Sequence, residues 1–91
     1  MTRTFCRNDD VLWREAGGAL VCLPHGREEP IVVSGSGPDV WALIDRPLSA
    51  FEVAEVLGRY YGLPAEAVAP DIGTILELLS ELGVVRAGEA S

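Results

Sequence analysis

The stretch PDVWALIDRPLSAFEVAEVLGRYYGLPAEAVAPDIGTILELLSELGVV, residues 38–85, reads as three helices in quick succession. Trp41 and Ile44, then Val53 and Leu57, then Ile72, Ile75, Leu76, Leu79 and Leu82 recur at the three- and four-residue spacing of an apolar helical face. Pro38 suits a first helical position, and this brief helix ends near Asp45, before Arg46-Pro47-Leu48. Ser49 and Glu52 have the spacing of a capping box, so a second helix starts there and runs to about Tyr61, where Gly62 stops it. The third helix has two candidate starts, because an internal proline breaks or kinks a helix. Either Pro64 opens it and Pro70 then kinks it, or, the reading favoured here, a short lead-in turn precedes a main helix from Pro70 to Leu82. Gly83 ends it, and Val84-Val85-Arg86 returns as a short strand.

Upstream, three runs have the length and composition of strands. Val11 to Glu15 is followed by the turn Gly17-Gly18, then by the continuous apolar run Ala19 to Leu23, the signature of a central, covered strand. A polar turn, His25 to Glu29 between Pro24 and Pro30, leads to the β-branched segment Ile31 to Ser34. A three-stranded antiparallel meander followed by three helices is an α+β fold, winged-helix-like in organisation. Residues 1–10 read as a flexible N-terminus, 11–86 as the domain and 87–91 as a tail.

Ninety-one residues make one small domain, burying roughly two thirds of the surface of its unfolded chain. Fourteen carboxylates against seven arginines and no lysine give a formal charge of −7. Nucleic-acid binders need a basic stripe to displace phosphate counterions, so a winged-helix DNA-binding role is not expected. The same charge favours a partner carrying Lys or Arg. Cys6 and Cys22 make no disulfide framework, which fits a reducing cytoplasm, and no segment has the character of a signal peptide or membrane span.

Motifs that carry chemistry are weak. Cys22 and His25 make one imperfect ligand pair, whereas zinc sites present two, so no metal or other cofactor is expected. The glycines of Ser34-Gly35-Ser36-Gly37 lack the Lys-Ser/Thr of a phosphate loop and read as a sharp strand-to-helix turn. The lone His25 lies in a polar turn with no nucleophile and orienting group spaced around it, and Glu52/Glu55 and Glu77/Glu81 read as solvated helix faces. No catalytic residue is expected. Trp41 reads as core, as does one of Tyr60 and Tyr61, leaving the other partly exposed.

In a simple meander the strand Ile31 to Ser34 lies at the sheet edge, where unpaired amides and carbonyls can take an added peptide strand. The alternative is an interaction or homodimer module in which two copies pair through that edge.

The runs Trp41-Ala42-Leu43-Ile44-Asp45, Pro47-Leu48-Ser49, Val53-Ala54-Glu55-Val56-Leu57 and Tyr60-Tyr61-Gly62-Leu63 resemble the PqqD family. So does the closing pattern Val68, Asp71-Ile72, Leu76, Leu79 and Leu82-Gly83-Val84-Val85, and the likeness spans about Val11 to Arg86. The chain departs from many members in its polar second turn and in Pro70. The resemblance implies a RiPP recognition element, RiPP meaning ribosomally made and post-translationally modified peptide. Such an element is not a catalyst. It binds the leader segment of a precursor as a strand between its third strand and third helix, and delivers it to a maturation enzyme such as a radical-SAM protein, a cyclase or a leader peptidase. Carried onto this chain, one wall of the groove is Ile31, Val32, Val33 and Ser34, and candidates for the other are Asp71, Ile72, Ile75, Leu76 and Leu79.

Overall fold

Phe5 is buried between less buried neighbours, and the computed structural model, which describes residues 2–90, forms a strand there. Strand β1 (Thr2–Arg7) is followed by β2 (Leu12–Ala16), β3 (Ala19–Leu23) and β4 (Ile31–Val33). Helices α1 (Gly37–Leu43), α2 (Ala50–Tyr61) and α3 (Ala65–Glu81) come next, and strand β5 (Val85–Ala90) closes the chain. The three-stranded antiparallel sheet has the order β2-β3-β4, a meander with β3 central, and β1 pairs with β5 in a separate two-stranded antiparallel sheet.

The second sheet corrects two expectations. Residues 2–7, inside the stretch read as flexible, pair with β5 from Thr2↔Ala90 to Arg7↔Val85, and residues 87–90 belong to that ladder instead of forming a tail. Met1 and Ser91 lie outside the described residues. The pairing joins chain ends, so only the finished fold supplies each strand with its partner.

Each helix boundary has a local cause. The Ser49 hydroxyl accepts from the Glu52 N–H at 3.1 Å while the Glu52 carboxylate accepts from the Ser49 N–H at 2.9 Å, completing the capping box, and Gly62 closes α2 in the left-handed region. Helix α3 runs unbroken through Pro70, contrary to the expected start there. Pro70 withholds a hydrogen bond from the Glu66 carbonyl, but Glu66 is exposed, so water can serve that oxygen. The apolar face downstream, Ile72, Leu76 and Leu79, is buried and holds the helix in place. At its end Gly83, at φ 80°, completes a Schellman turn in which the Val84 N–H donates to the Leu79 carbonyl at 2.9 Å. That reversal buries Val84 and Val85 and aims β5 back along β1.

The core joins Leu20 and Cys22 of β3 to Val40, Trp41 and Ile44, Val53 and Leu57, the inner face of α3, Phe5 and Val84. Trp41 is buried as expected, with the Trp13 ring edge-on at 5.5 Å. The Arg7 guanidinium lies over both indoles, at 4.9 and 5.1 Å from their centroids, and its Nε donates to the Trp41 carbonyl, fastening β1 to α1. Neither Tyr60 nor Tyr61 enters the core; both are exposed, and the Tyr61 hydroxyl donates to Asp39 at 2.6 Å. That hydrogen bond to the neutral phenol raises its pKa.

Candidate functional site

Strand β4 is built from three β-branched residues after Pro30, and it pairs on one side only. Its register against β3 is Ile31↔Cys22, Val32↔Val21 and Val33↔Leu20. No strand among the described residues meets its other side. Ile31 and Val33 are half-buried and packed on the core, whereas Val32 turns outward and is 61% exposed. This is the two-residue alternation of a strand with one face anchored. Ser34 lies just beyond, exposed, its carbonyl accepting from the Gly37 N–H at 3.2 Å. It belongs to the turn into α1. A Cβ on Gly37 would collide with Val33 Cγ1, so glycine is what lets α1 begin directly against β4.

The candidates on α3 divide by burial. Ile72, Leu76 and Leu79 are core and turn away from solvent. Ile75 is half-buried and Asp71 exposed, so of the five only these two have surface to offer a ligand. Val68 and Leu82, also half-buried against the core, stand seven residues either side of Ile75 and continue its flank of the helix. Both stand in the pattern that carries the family resemblance but not among the groove candidates, although their seven-residue spacing was legible.

Other free edges differ from β4 in chemistry. The outer edge of β2 carries Arg14 and Glu15, and β5 carries Arg86 and Glu89. Charged residues guard an edge against strand addition. Strand β4 is Ile-Val-Val and has none. The polar turn before it supplies Glu28 and Glu29, both exposed.

The remaining chemical groups lie apart. Cys22 is buried in β3, and loss of water around its thiol pushes the pKa up. His25 is exposed in the turn between β3 and β4. Among the described residues no three His, Cys, Asp or Glu side chains gather as a metal-binding group, and no helix is long and apolar enough to cross a membrane. Compared with known proteins, the chain matches no family model, no curated protein and no solved structure.

Proposed function

We propose that the chain is a non-catalytic recognition element of the cytoplasm that binds the leader segment of a ribosomally made precursor peptide and delivers it to a maturation enzyme. The leader adds to β4 as a further strand, and β4's uncharged, singly paired edge is the observation that carries this reading. Main-chain hydrogen bonds supply affinity there. In this reading two or three leader side chains rest on the half-buried flank of α3, against Val68, Ile75 and Leu82 beside exposed Asp71. The likeness to the PqqD family supports the same assignment, since that family takes its ligand at the corresponding strand and helix.

The experiment is a calorimetric titration with the N-terminal segment of any short precursor peptide found encoded beside this chain's gene, repeated with Val32→Pro and Val33→Pro. Successive amides along a strand point to opposite edges, so one of these two N–H groups faces β3 and the other faces outward. The substitution that removes the outward amide is expected to weaken leader binding about tenfold or more and leave the fold intact. The other is expected to destabilise the sheet. Unchanged affinity in both variants, or no binding by the wild type, overturns the proposal. Peptide-independent self-association in sedimentation, abolished by the same substitutions, would favour edge-to-edge pairing of two copies.

A further inference from the structure

A hollow of about 800 Å³ opens between β1, the first turn of α2 and α3, and it contains no residue of β4. Its floor includes Phe5, Ala50 and Gly73. Phe51 and Leu78 line it too, and at 46% and 53% exposure they leave large apolar area uncovered there.

The backbone of β1 supplies a second, independent observation. Phe5 uses both main-chain groups on Leu48, donating at 2.8 Å and accepting at 3.0 Å, and the Arg7 N–H donates to the Ile44 carbonyl at 2.9 Å. Residues two apart in a strand turn these groups to the same edge. Arg3 therefore presents its N–H and C=O on the edge where Leu48 and the start of α2 lie, beside the hollow it lines. No backbone group among the described residues meets them. The outer edge of β1 is closed at Phe5 and Arg7 and open at Arg3.

Charge selects the occupant. Helix α3 carries Glu66, Asp71, Glu77 and Glu81 and not one basic residue. The Arg3 guanidinium is already committed to Glu77, with both contacts at 2.7 and 2.8 Å. Glu81 lines the hollow with no ion-pair partner among the described residues. An incoming acid would face that carboxylate, and an incoming base would neutralise it.

We infer that this hollow docks a short extended segment of a partner protein, cationic and apolar in character. Its backbone takes up the Arg3 N–H and C=O where Leu48 leaves off. One large apolar side chain seats against Phe51 and Leu78, and a Lys or Arg reaches Glu81. The surface shares no residue with β4, so the two sites can be filled at once and tested apart.

The test is a random-peptide library displayed on phage and selected on the immobilised full chain, with the enriched peptides then titrated against purified variants. Enriched sequences are expected to combine Lys or Arg with a large apolar residue. Leu78→Ser and Glu81→Lys, both on exposed positions, are each expected to cost about tenfold in affinity, while Val32→Pro and Val33→Pro leave it unchanged. By NMR hydrogen exchange, the Arg3 amide is expected to exchange faster than that of Phe5 in the free chain and to gain protection with peptide bound. Failure to enrich any peptide, enrichment of acidic ones, or indifference to both α3 substitutions overturns the inference. Peptides lost only with the β4 prolines would support the leader site and overturn this one.

Discussion

The two small sheets of this molecule solve the same problem in opposite ways. In the two-stranded sheet β1 is stitched to β5 along its whole length and, on its other edge, to Leu48 and Ile44 through Phe5 and Arg7, with only Arg3 left open there. In the three-stranded sheet β4 is paired to β3 alone, and its outward residue is a bare valine. An open strand edge is a hazard in solution, and this chain guards its other open edges with charged residues. Leaving β4 unguarded therefore has a meaning that leaving β2 open does not. The outer edge of β1 is closed except at Arg3, whereas the outer edge of β4 is open along its whole length among the described residues.

The largest effect on this contrast is expected from Phe5→Ala, which should lower stability by about 3–5 kcal/mol because Phe5 is 3% exposed and ties β1 to the core. Urea denaturation measures it, and a loss under about 1 kcal/mol would mean that β1 is an ornament on the fold. Next come the two β4 prolines, whose outward member should cost the leader about 1.4 kcal/mol of affinity or more, a factor of ten, with little change in the melting of the free protein. An outward proline that unfolds the chain would show β4 to be as structural as β1.

A smaller loss, about 1 kcal/mol, is expected for Ser49→Ala, since its hydroxyl caps α2 immediately after the Leu48 bridge to β1. Thermal melts report it, and a neutral result would detach the cap from the stability of that junction. The gentlest probe is thiol labelling of the unaltered chain, because each sheet holds one cysteine. Half-buried Cys6 in β1 should label faster than Cys22 in β3, which is fully buried and whose thiolate is disfavoured. Equal rates would show that the sheet around β3 does not shield Cys22 from solvent.

Much of this architecture was legible before any coordinates. The capping box at Ser49 and Glu52, the stop at Gly62 and the meander of β2, β3 and β4 all follow from interactions within a few residues along the chain. The β1–β5 sheet was not legible, because TRTFCR offers a single strongly apolar residue and its partner lies more than 70 positions away. Pro70 misled for a related reason. Its local cost is real, but the buried face of Ile72, Leu76 and Leu79 outweighs it, and that face acts only once packed. At the candidate site, β4 could be read from its β-branched run. The split of α3 between Ile75 and Asp71 on the surface and Ile72, Leu76 and Leu79 inside could not, since all the apolar positions satisfy the same helical spacing.

Sequence by itself determined where the meander turns, where α2 begins and ends, where α3 stops, and that the chain is acidic, because short-range hydrogen bonds, backbone preferences and formal charge are local properties. Tertiary structure alone decided which edges are closed and which stay open. Whether a backbone amide finds a partner depends on what the rest of the chain brings beside it, as Leu48 does for Phe5 and as no described strand does for the outer side of β4.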